Sequence, residues 1–83
     1  SWTANGHMPL EDLVQYVPIP LDEKREYHTI AGLLMEYLQR IPKTGEEVQV
    51  GDYLLKTLQV ENHRVQKVQL IPLRSEEEMD YEV

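Results

Sequence analysis

The stretch YHTIAGLLMEYLQRIPKTGE, residues 27–46, decides how the rest of the chain is read. Ile30, Leu33, Leu34, Tyr37, Leu38 and Ile41 recur at i, i+3, i+4, i+7, i+8 and i+11, the apolar stripe of an amphipathic helix. Thr29 stands just ahead of it, where a hydroxyl accepts from a first-turn backbone N–H. Pro42 closes the segment: it has no N–H for the ladder, and its ring pushes Ile41 out of the α region. Gly32 is the odd residue, costing a helix about 1 kcal/mol relative to alanine. It borders the stripe, so it is expected to mark the close approach of another backbone, a strand or a first helix.

Upstream, HMPLEDLVQYV carries Leu10, Leu13, Val14 and Val17 on one helical face. Pro9 suits the first helical position, and Glu11 and Asp12 lie near the positive end of the dipole. SWTANG reads as a strand closed by a turn at Asn5-Gly6, a pair that readily takes positive φ. Between the helices, VPIPLDEKREY is a connector, since Pro18 and Pro20 forbid helix and central strand. Downstream of Pro42 the period changes to two. Val48 and Val50 mark a short strand, Gly51-Asp52 a turn, and YLLKTLQV and RVQKVQLIPL two longer strands joined at Glu61-Asn62-His63, with Asn62 left-handed. Val65 and Val68 have opposite parity, which predicts a bulge or a strand covered on both faces. Pro72 marks an edge strand or the exit from the sheet. The fold class is therefore α+β: two helices packed on a small, mainly antiparallel sheet.

A chain of 83 residues is one small domain, able to bury about 60–65% of its unfolded surface. It has no cysteine, which excludes disulfides, thiolate metal sites and thiol nucleophiles, and fits a reducing compartment. The net charge of −7 is concentrated at one end. Residues 1–75 carry all 8 basic residues against 10 of the 15 acids, a net of −2, and Glu76, Glu77, Glu78, Asp80 and Glu82 supply the rest. Residues 1–74 are thus read as the domain and 75–83 as an acidic, disordered tail. No basic stripe exists to neutralise phosphates, so nucleic acid is not an expected partner. No apolar run approaches the roughly 18 residues that cross a bilayer, so direct membrane insertion is not expected either, and no signal peptide is visible. The initial serine suggests a segment of a longer chain.

Candidate chemistry is sparse. His7, His28 and His63 fall in turns or helix entries with no partner at metal-ligand spacing. Asp22, Glu23 and Glu26 are interleaved with Lys24 and Arg25, the pattern of a solvated loop. Ser1 and Ser75 belong to no nucleophile elbow. Gly6, Gly32, Gly45 and Gly51 are too scattered to build a phosphate-cradling loop. Tyr16, Tyr27, Tyr37, Tyr53 and Trp2 read as the rim of a core. No catalytic, cofactor-binding or metal-binding residue is assigned, and no enzyme is expected.

The segments SWTANGHMPLEDL, YHTIAGLLMEYLQRIPKTGEEV and YLLKTLQVENHRVQKVQL together resemble the CorC/HlyC transporter-associated domain. Thr29, Ala31, Gly32, Ile41, Pro42, Gly45 and Glu46 match its central motif, and Val60, Val65 and Val68 its last two strands. Two departures stand out: Asn62 replaces a hairpin glycine, and Met8 precedes Pro9 where a capping hydroxyl is common. The resemblance implies a fold similar to part of a flavin-binding domain, but flavin binding is not carried over. It also implies a non-enzymatic regulatory domain of a membrane-associated magnesium/cobalt efflux or haemolysin-type protein. Such a domain lies on the cytoplasmic side of the bacterial inner membrane and acts through domain–domain or self-association. The implied partners are the CBS and membrane domains of the parent, or a second copy as a homodimer. No cofactor is expected. The alternative is a small-ligand sensor that binds an adenine nucleotide or a divalent cation between helices and sheet.

Overall fold

The computed structural model describes residues 2–73. The reading of residues 75–83 as a tail lies outside them. In chain order the elements are β1 (Trp2–Asn5), α1 (Leu10–Leu13), α2 (Ile30–Leu38), β2 (Glu47–Val50), β3 (Tyr53–Glu61) and β4 (Arg64–Pro72). The four strands form one antiparallel sheet in the order β1-β4-β3-β2. Pro72 therefore ends a central strand and marks the exit from the sheet, not an edge; the edges are β1 and β2.

One face of the sheet is covered by the helices. Leu10 and Leu13 of α1 and Ile30, Leu33 and Leu34 of α2 meet Val48, Val50, Leu55, Val68 and Leu70, with Val17 and Ile19 of the connector closing one side. Burial of each such aliphatic side chain supplies roughly 1.5–3 kcal/mol, and α2 crosses over β2 and β4 to collect it. Thr57 also points into this core, and its hydroxyl has no hydrogen-bond partner among the described residues. A buried polar group left unpaired costs stability. Thr57→Val is therefore expected to stabilise the domain by about 1 kcal/mol, seen as a higher denaturation midpoint at unchanged m.

The parity conflict between Val65 and Val68 is resolved by two compensating register shifts. Thr57 faces Val68 while Gln59 faces Lys67, which leaves Leu58 extra in β3. Val60 then faces Val65, which leaves Gln66 extra in β4. That second insertion lets Val65 and Val68 both turn to the core. The β3–β4 turn is two residues long, with both Asn62 (φ 52) and His63 (φ 62) left-handed. Asn62 was expected there; His63 was not.

The first strand ends as predicted, but for a different reason. Neither Asn5 nor Gly6 has positive φ. Gly6 is required because β4 passes directly behind it. A β-carbon there would lie 2.0 Å from the Val65 carbonyl oxygen, and the Gly6 N–H donates to the Gln66 carbonyl at 3.0 Å.

Helix α2 starts as the sequence indicates, with the Thr29 hydroxyl accepting from the Gly32 N–H at 3.1 Å. Residues 6–10 run alongside this start and take its other orphan donors: Ile30 N–H donates to the Met8 carbonyl and Ala31 N–H to the Gly6 carbonyl. Pro9 sits one place earlier than expected, at the cap of α1, which has no side-chain cap.

Two expectations about α2 are corrected. It ends at Leu38, with Gln39 left-handed (φ 59), so Pro42 follows the stop and does not cause it. The apolar stripe is correspondingly shorter. Tyr37 and Ile41 are exposed and Leu38 half-buried, because the chain has left the helical path before the third turn can be covered. Gly32 does mark a close approach, but to neither a strand nor α1. A β-carbon there would meet the Tyr27 β-carbon at 2.9 Å, so the neighbour is the chain that enters α2 itself.

Candidate interaction surface

The chain between α2 and β2 is locked by Arg40 and Glu46. The Arg40 guanidinium grips both carboxylate oxygens of Glu46, one at 2.6 Å, and the Lys43 N–H donates to Glu46 Oε1 at 2.6 Å. Pro42 is buried beneath, and Gly45 (φ 95) donates its N–H to the Thr57 carbonyl. Ile41, Pro42, Gly45 and Glu46 thus form a strap from helix to sheet. Arg40 and the Lys43 N–H hold the Glu46 carboxyl down at about 2. A carboxylate depressed in the folded state adds stability above its ordinary value of 4.5, and loses it as pH falls towards 2. Glu46→Gln should therefore melt below the wild type at neutral pH, and that gap should close by pH 2. The exposure of the pair keeps the gap modest.

None of the predicted loop groups converges on a reactive arrangement. Asp22 and Glu26, with Lys24, Arg25, Tyr27 and Glu36, line a shallow hollow of about 200 Å³, and Glu23 lies outside it. Asp22 Oδ1 accepts from the Lys24 N–H at 2.9 Å, an Asx turn that uses the carboxylate for local structure. Burial, and then the negative charge around it, pushes the Tyr27 phenol up, away from easy ionisation. No three His, Asp or Glu side chains gather at metal-binding distance among the described residues. His7 and His63 line one cavity, and His28 is not among its lining residues.

The aromatic residues divide. Tyr27 and Tyr53 are half-buried, as a core rim would be, but Trp2 is 49% exposed, Tyr37 49% and Tyr16 71%. Trp2 packs against Tyr53 with ring centroids 6.3 Å apart. It also forms, with Ala4, Met8, Leu13, Tyr16 and Val17, the wall of a cavity of about 240 Å³ between β1 and α1. This apolar groove runs beside an edge strand, and an edge strand offers unpaired backbone groups to an incoming strand. A second hollow of about 480 Å³ lies over the outer face of α2, between Tyr27, Met35, Gln39 and Ile41. Sequence reading missed the β1–α1 groove because the aromatics that line it lie in different elements. Their signal was only that Tyr16 falls outside the Leu10–Leu13–Val17 face.

This small sheet with two helices on one face is the architecture of a transporter-associated domain. Residues 1–74 match the CorC_HlyC family, described as the transporter associated domain, and the chain belongs to it. It is 90% identical over its whole length to the UPF0053 protein YegH of Escherichia coli K12, of which it covers 16%. It is 32% identical over 79 residues to a polyamine export protein of Haemophilus influenzae, covering 94% of this chain and 18% of that one. Among solved structures it is similar to the transporter associated domain of a Xylella fastidiosa Temecula1 hemolysin, solved in complex with Mg²⁺ and Mn²⁺. That match has a TM-score of 0.78 at 26% identity and covers 87% of this chain and 86% of the other. The chain thus spans about a sixth of the curated relatives it matches (16% and 18%). No helix among the described residues is long and apolar enough to cross a membrane.

Proposed function

We propose that this domain is a non-enzymatic regulatory and accessory module of a membrane-associated ion-transport protein, acting on the cytoplasmic side of the bacterial inner membrane. It works by docking. The observation that carries this reading is the apolar groove between β1 and α1, open beside the edge strand and rimmed by Trp2 and Tyr16. The occupant we assign is an extended apolar segment of another domain of the parent chain, such as a CBS domain. The relatives supply the length for it, since this chain covers only 16% of its relative YegH. Binding would add a strand to β1 and seat alternate side chains in the groove, so that a ligand state upstream shifts the transport equilibrium.

The test is transport by the full-length parent. Deleting this domain should alter transport kinetics or their regulation, and Tyr16→Glu should reproduce part of that effect, because Tyr16 is exposed and its loss leaves the core intact. Unchanged kinetics and regulation after deletion would end the reading. A second copy as the occupant would show itself as concentration-dependent dimerisation that Tyr16→Glu abolishes.

The second reading, a sensor for a divalent cation or a nucleotide, is favoured by the Xylella relative that was solved with Mg²⁺ and Mn²⁺. Thermal shift against magnesium, manganese, cobalt and ATP separates the two. A ligand that binds the folded state raises the melting temperature by mass action.

A further inference from the structure

The cavity that His7 and His63 share is built differently from the others. It holds about 330 Å³ and lies where the β3–β4 hairpin tip, the turn after β1 and the start of α2 meet. Arg64, Gln66 and Thr29 complete its polar lining, and Met35 and Val65 give it an apolar wall. Every polar side chain in that lining is able to donate a hydrogen bond, and none is a carboxylate. Residues 1–75 carry 10 acids beside 8 bases, so a polar lining without any carboxylate is a local departure. The one carboxylate nearby in the ladder is Glu61, the cross-strand partner of Arg64, and no ion pair joins them. The guanidinium of Arg64 and both imidazoles have no hydrogen-bond or ion-pair partner among the described residues.

The backbone brings these groups together at a cost. His63 holds a left-handed conformation (φ 62) that a β-carbon disfavours by roughly 1–2 kcal/mol, at a turn position where glycine would be relaxed. Gln66 is the inserted residue of β4, and its carbonyl accepts from Gly6, which places His7 next to the bulge. Bulges recur where a strand must re-aim its side chains towards a site. The start of α2 contributes field and not donors, because the N–H groups of Ile30, Ala31 and Gly32 are already bonded within the protein.

The geometry points to a binding site for a phosphate group in this cavity, with Arg64 as the forked donor, His7, His63 and Gln66 as flanking donors, and the Met35–Val65 wall receiving the body of a phosphate-bearing small molecule. Arg presents two parallel N–H groups to an oxyanion, and the cavity volume falls at the lower end of small-ligand sites. The same chemistry serves a free phosphate or pyrophosphate and the phosphates of a nucleotide. This deepens the sensor reading and is independent of docking at the β1–α1 groove.

The test is an amide-resonance titration of the 83-residue chain with inorganic phosphate, pyrophosphate and ATP, each without divalent metal, at constant ionic strength held by chloride. Saturable shifts confined to His7, Thr29, His63, Arg64 and Gln66 are expected. Arg64→Gln should weaken them about tenfold while leaving the rest of the spectrum in place, since Arg64 is exposed. Saturation by ATP alone would identify a nucleotide, and saturation by phosphate or pyrophosphate alone a free anion; either supports the site. Shifts that chloride reproduces, that persist undiminished in Arg64→Gln, or that map to Lys24, Arg25 or Lys56, would overturn it. If binding holds but transport by the full-length parent is indifferent to that anion, the site stands and the sensor reading falls.

Discussion

Gly6→Ala should destabilise the domain by about 3 kcal/mol or more, the largest loss expected of any single methyl addition here. A β-carbon at position 6 would sit 2.0 Å from the Val65 carbonyl oxygen and 2.7 Å from its carbon, and both are backbone atoms of a central strand. No rotamer relieves such a contact; β1 must move away from β4. That movement breaks the Gly6-to-Gln66 bond and pulls the Gly6 carbonyl from the Ala31 N–H, so the start of α2 is disturbed as well. Overpacking of this kind costs about 3 kcal/mol or more. A domain of this length holds roughly 4–12 kcal/mol in total, so much of it is consumed. The measurement is a chemical denaturation curve, read beside Gly45→Ala. A β-carbon at Gly45 meets nothing within 4 Å, and only its left-handed backbone resists. Gly45→Ala should cost about 1 kcal/mol. Equal effects at the two positions would refute the close-approach account.

Leu34→Ala should cost about 3 kcal/mol, and Tyr37→Ala less than about 0.5 kcal/mol. Both residues belong to the apolar stripe read from the sequence, but their environments differ. Leu34 is 0% exposed beneath the sheet, and its removal leaves a cavity that the surrounding leucines cannot close. Tyr37 is 49% exposed and loses little by truncation. The pair tests where the third turn of the helix stops being covered. A large loss on Tyr37→Ala would mean that α2 packs through its last turn after all.

Much of this fold was legible locally. Thr29 announced the start of α2 because a hydroxyl cap acts within three residues. Val48 and Val50, the Gly51 turn and the left-handed Asn62 were readable because alternation and turn chemistry act over two to four residues. The opposite parity of Val65 and Val68 pointed to a bulge or a strand covered on both faces, and the ladder takes the bulge. The end of α2 was not legible. Gln39 is a good helix former, and nothing beside it signals a left-handed cap. What ends the helix is farther on: Arg40 is gripped by Glu46, and Gly45 is bonded to Thr57 of β3. The candidate surfaces were still less visible. Trp2 and Tyr16 share a groove, and His7 and Arg64 a cavity, across separations that carry no periodic signal.

The amino-acid sequence by itself determined the elements, their order and the family, because each of these follows from spacing along the chain. Only the tertiary structure decided which strand lies behind Gly6, where α2 leaves the core, and which donors converge at the hairpin tip. Those outcomes depend on one inserted residue in each of β3 and β4 and on backbones in contact across the sheet. A contact between distant segments is set by how all of them pack at once, and no local pattern encodes it.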